Sequence, residues 1–170
     1  MYDPATMPFD LSLGAVGLLG QAVVNPDPSA RVAIANRLLD DGADPAVVST
    51  NGDGVNVLHM LWGRERERDP EPEAALVSRL LDGGADINLR SPRFGLPLVG
   101  LSQGILATPE YLHAVFAAVV AHSRPDLTAH VDNKRESIVG QSLARTRFGA
   151  IRERVLAYAA GSGQDIDLIT

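Results

Sequence analysis

The sequence predicts an all-α protein built as a stack of helical pairs, and three observations carry that prediction. The phrase "LLDDGADP" (38–45) returns as "LLDGGADI" (80–87), 42 residues later, with six of eight positions identical. Beside both copies, apolar residues recur at the spacing of one helix face. Turns marked by Gly, Asn, Asp and Pro separate the helical stretches.

Taken in order, "MPFDLSLGAVGLL" and "ARVAIANRLLDDGADP" form a first unit without a leading turn. Its second helix begins near Pro28-Ser29 and carries Val32, Ile34, Ala35, Leu38 and Leu39 on one stripe. "AVVSTNGDGVNVLHMLW" (46–62) then passes through a turn into a short apolar helix, Val57 to Gly63. "GRERERDPEPE" (63–73) reads as an insertion ahead of the partner helix. That helix presents Ala74, Val77, Leu80 and Leu81, and Gly84 closes it in the left-handed conformation. "NLRSPRFGLPLVGLSQG" (88–104) repeats the turn and short helix, with Leu98 40 residues beyond Leu58. Asp126 lies 40 beyond Asp86, and Ile138 lies 40 beyond Leu98. "RVLAYAAGSGQDIDL" closes the chain as a degraded copy.

The units fall at approximately 7–45, 46–87, 88–127 and 128–170, in one domain. A repeat period near 40 is in the range of helical repeats. One such unit cannot bury its apolar stripe alone, so stacking makes the core and the architecture is a solenoid. End units each keep one uncovered face, which fits degraded first and last copies.

With 170 residues, 45 % hydrophobic and 21 % charged, the composition is that of an ordered domain. Absence of cysteine excludes disulfides, thiolate metal sites and a cysteine nucleophile. The net charge of −6 argues against a nucleic-acid partner, which needs a basic footprint. The first residues carry Asp3 and Asp10 in place of a basic leader. The apolar stretch from Leu11 to Val24 is interrupted by Gly14, Gly17 and Gly20, and is too short to span a bilayer. A cytoplasmic protein with no membrane partner is expected. Of 15 basic residues only Lys134 is lysine, a composition that suggests a GC-rich bacterial genome.

These units resemble ankyrin repeats. "GVNVLHML" (54–61) carries the leucine and histidine of the family's "TPLH"-like helix start as Leu58 and His59. "LLDDGADP" and "LLDGGADIN" match the family's second-helix end almost letter for letter. The resemblance spans about residues 8 to 165, strong in two units and weak in two. Its departures are units near 40 residues against the family's ~33, the 63–73 insertion, and "FGLPLVG", which lacks the threonine and histidine. The resemblance implies a structural His59 whose ring bonds backbone groups at a helix start and links adjacent loops. It also implies a protein-binding surface made of the turn tips and first helices.

Catalytic readings find little support. "GAVGLLG" (14–20) lacks the spacing of a dinucleotide or phosphate loop, and no GxSxG occurs. His113, His122 and His130 have acidic neighbours in Glu110, Asp126 and Asp132, but no spacing that sets two metal ligands on one helix face. No catalytic residue, cofactor or metal is expected. "RERERD" (64–69) reads as an exposed loop or frayed helix end, with a partner contact as the alternative. Trp62 is the sole tryptophan; packing between units is one reading and a binding hot spot the other.

The expected function is non-enzymatic binding of another protein. The candidate contacts are Asn51, Asp53, Trp62, Arg64, Arg66, Arg90, Arg93, Phe94, Asn133, Lys134 and Arg135. Leu96 is a second apolar candidate beside Phe94. A small acidic chain of degenerate ankyrin-like repeats also resembles the immunity proteins that neutralise bacterial toxins, which implies a basic toxin domain as partner. The alternatives are a regulatory or scaffold adaptor and an enzyme on a helical scaffold.

Overall fold

The computed structural model describes residues 17–50, 52–104, 106–131, 138–146 and 149–166. Eight helices are present among them: α1 (Gly17–Val23), α2 (Pro28–Asp40), α3 (Val57–Trp62), α4 (Pro70–Asp82), α5 (Pro97–Gln103), α6 (Pro109–His122), α7 (Val139–Ala144) and α8 (Arg152–Ser162). Extended pairing among the described residues is limited to isolated bridges, Ser91 with Gly95 and His130 with Ile138. The protein is all-α in this sense.

Local chemistry sets the helix starts. Proline occupies the first position of α2, α4, α5 and α6, where its missing N–H leaves no bond unmade. Asp27 caps α2 by accepting from Ser29 N and Ala30 N, and Thr108 caps α6 by accepting from Tyr111 N. The stops repeat as well. Gly42 and Gly84 follow α2 and α4 with φ of 91° and 101°, the conformation a helix needs to turn away after its last residue. Immediately beyond, Asp44, Asp86 and Asp126 each close the same small turn. Their Oδ1 atoms accept from the N–H two residues on, at 2.8, 2.8 and 2.9 Å.

Short and long helices sort into two rows. In one row α1 packs on α3, α3 on α5 and α5 on α7; in the other α2 packs on α4 and α4 on α6. Helix α8 joins the second row through Tyr158, whose ring meets that of Phe116 edge-on at 6.4 Å. The core lies between the rows. Leu58, Leu61, Leu98, Leu101 and Leu143 fill it from the short helices, and Leu76, Leu80, Leu112, Val115 and Val155 from the long ones. Each such side chain contributes about 2 kcal/mol by leaving water. Close approach within the short row rests on Gly100: a Cβ there would lie 3.1 Å from Trp62 O.

Hydrogen bonds between rows of neighbours keep the sequence period. Ser102 Oγ and Ser142 Oγ lie 2.8 Å apart between α5 and α7. Asn88 Nδ2 donates to Arg124 O, and Gln164 Nε2 donates to Pro125 O, each 3.0 Å long and separated by 36 and 39 residues.

Two expectations change. Ile34, assigned to the buried stripe of α2, is 44 % exposed. The main neighbours of α2 are α1 and α4, and they leave Ile34 open to solvent. The "RERERD" loop is not uniformly solvated either. Arg64, Glu65 and Glu67 face outward, whereas Arg66 is buried and Arg68 half-buried.

Candidate recognition surface

Among the described residues, the tight turn at 91–95 lies between Asp53 on one side and His130 on the other, and hydrogen bonds tie it to both. Ser91 and Gly95 exchange both backbone bonds, at 2.8 and 3.0 Å, around Pro92, Arg93 and Phe94. The buried Ser91 hydroxyl organises this turn. It accepts from Arg93 N at 3.2 Å and Phe94 N at 3.1 Å, and it donates to Asp53 O of the preceding turn at 2.5 Å. On the other side Arg90 Nη2 donates to His130 O of the following turn. Gly95 is needed at its position, because its φ is 69° and a Cβ would come within 3.1 Å of Val131 O.

His59 fastens this surface from below. It stands third in α3 behind Asn56, whose Oδ1 accepts from Leu58 N and His59 N. The imidazole Nε2–H donates to Gly95 O at 2.9 Å, which leaves Nδ1 as the acceptor for Asn56 N at 3.2 Å. One ring thus holds its own helix start and the next turn together, the role expected of it from the resemblance. Burial holds this imidazole below its ordinary value, and the Gly95 carbonyl opposes that shift.

The candidate contact residues divide by exposure. Asp53, Arg90, Arg93 and Phe94 converge on the first two turns, with Arg93 70 % and Asp53 34 % exposed at the side chain. Arg93 lies 5.1 Å over the Phe94 ring and 3.9 Å from Asp53. Arg64 is exposed at the end of α3. Asn51, Asn133, Lys134 and Arg135 lie outside the described residues. Leu96 is buried and packs into the core.

As surface contacts Trp62 and Arg66 are corrected, and the packing reading of Trp62 holds. Trp62 is 3 % exposed, and its indole Nε1 donates to Tyr111 Oη at 3.2 Å. Arg66 donates to Val23 O and Met60 O and offers the surface almost nothing. Trp62 belongs to, and Arg66 is buried beside, an interior polar network that sequence reasoning missed. Its centre is Glu73, whose carboxylate accepts from Arg31 Nη1, from Arg68 Nη1 at 3.4 Å and from the Tyr111 hydroxyl at 2.9 Å. Arg31 also donates to the carbonyls of Asn25, Pro26 and Glu67. Burial, and after it the neighbouring guanidinium groups, depress Arg66 to about 10, and burial pushes the Tyr111 hydroxyl up. These bonds anchor the 63–73 insertion to α1, α2, α3 and α6.

The remaining histidines are dispersed. His122 Nδ1 lies 2.8 Å from Asp82 Oδ1 on the exposed side of the long row. Among the described residues no group of three His, Asp or Glu is arranged to hold a metal. No described helix is long and apolar enough to cross a membrane. Comparison with protein-family models, curated proteins and solved structures found no match.

Proposed function

We propose that this chain is a non-enzymatic recognition module, an ankyrin-like stack of helical pairs that grips another protein with its turn tips. Two helices fall in each of the four successive units, the Asp44, Asp86 and Asp126 turns recur at unit spacing, and His59 joins a helix start to the next turn. These features support the ankyrin-like reading. The observation that carries the functional reading is the tying of successive tips: Ser91 to Asp53 O and Arg90 to His130 O. Exposed loops that are held rigid lose little freedom on binding, which is what a recognition surface needs.

Within that class the reading extends to a toxin-neutralising immunity protein. The net charge of −6 supports it, since an acidic protein draws a basic partner toward itself. A regulatory adaptor is the alternative.

The test is capture with wild-type protein and an Arg90→Ala/Arg93→Ala variant in parallel. The reading expects a basic partner retained by the first and lost by the second. A partner held equally by both, or none held by either, overturns tip-mediated recognition. A retained partner that is acidic overturns the toxin reading alone.

A further inference from the structure

Phe94 is 49 % exposed and is the sole aromatic among the large apolar side chains that the described residues leave to solvent. Its exposure has a built setting. The turn below it is closed by Ser91 and Gly95, capped by the Ser91 hydroxyl at Arg93 N and Phe94 N, and fastened by His59 through Gly95 O. The neighbouring turns hold it from both sides through Asp53 O and His130 O.

Two guanidinium groups accompany the ring. Arg93 stacks on it at 5.1 Å, and exposed Arg90 precedes it in the same turn. Among the described residues Asp53 lies 3.9 Å from Arg93, a long contact between a half-buried carboxylate and an exposed guanidinium.

We propose, resting on the recognition reading above, that Phe94 and Arg93 form the anchor of the interface, and that the partner site is an apolar pocket rimmed by carboxylates. The ring supplies buried area with only two side-chain torsions to fix. The stacked guanidinium must lose water as the ring enters, and the group that replaces that water in planar, two-point geometry is a carboxylate. A cationic rim would set like charges against Arg90 and Arg93. The molecule's negative field acts at long range, whereas this contact is local, so an acidic pocket on a partner of basic overall charge satisfies both.

The test is selection from a displayed random-peptide library on the full-length chain. Affinities of the selected peptides are then measured for wild type, Phe94→Ala, Arg93→Glu and, as a distant control, Glu153→Gln. Phe94→Ala alters a surface side chain, and circular dichroism checks that the variants keep their helices. The expected result is enrichment of peptides combining Asp or Glu with large apolar residues. Affinity should fall roughly tenfold or more in Phe94→Ala and further in Arg93→Glu, remain unchanged in Glu153→Gln, and weaken with added salt. Basic or uncharged peptides, or binding indifferent to Phe94→Ala, overturn this inference and leave the recognition reading standing. Failure to enrich any binder overturns both.

Discussion

Arg31 and Glu73 stand 42 residues apart in the chain and meet in the interior with neither side chain exposed. A charge buried this far persists only while its counter-charge is present, because either alone would forfeit hydration with nothing in return. Glu73→Ala should therefore lower unfolding free energy by about 3 kcal/mol or more in urea titrations. Arg31→Ala should also destabilise, and the double variant should lose less than the two single losses summed, by roughly 1 kcal/mol or more. Simple additivity would show that the pair is not coupled.

The second prediction concerns pH and His59. Its folded value lies below the ordinary 6.5, so the unfolded chain takes up a proton more readily than the folded one. Stability is then complete above pH 6.5 and declines as pH falls through that value toward the folded one. Protonation would also remove the acceptor for Asn56 N. Urea midpoints of wild type and His59→Gln, measured on either side of pH 6.5, should show the difference: the variant loses less on acidification. Equal slopes would remove His59 from the account.

A third prediction isolates the turn clamp. Ser91→Ala takes the acceptor from Arg93 N and Phe94 N and the donor from Asp53 O at one stroke. The expected loss is about 1–2 kcal/mol. Amide exchange should accelerate at Arg93 and Phe94 with little change along α6. Unchanged exchange at those two amides would mean the hydroxyl does not organise the turn.

The fourth rests on Gly100, where even a methyl group would stand 3.1 Å from Trp62 O. Gly100→Val should push α5 away from α3 and destabilise by about 1–3 kcal/mol. Trp62 is the one tryptophan, so its emission reports the displacement directly, with a shift to longer wavelength. Wild-type emission and stability in the variant would place the two helices farther apart than described.

What was legible in the sequence was what is local. The two copies of "GAD" foretold the turns at Asp44 and Asp86 and the left-handed Gly84, because each is decided by a few adjacent residues. The helix start at Pro28 was legible for the same reason. Partners a full unit away were not. Arg31 and Glu73 look like solvated charges until the other is known to lie opposite, and Arg66 looks like part of an exposed alternating run until Val23 O is placed above it. Ile34 failed in the opposite direction: it belongs to the apolar periodicity of α2 and yet stays exposed. For the candidate surface, Arg93 and Phe94 were legible as members of a turn, but the hydroxyl that fixes them belongs to Ser91, an unremarkable residue by composition.

Four of the ties between neighbouring segments end on main-chain oxygens: His59 on Gly95 O, Asn56 on Asp86 O, Ser91 on Asp53 O, Arg90 on His130 O. Every amino acid carries that oxygen. Substitution of an outward side chain at a receiving position such as Asp53 or His130 therefore leaves its tie in place, and mutation can try new chemistry at the rim while the scaffold is inherited intact.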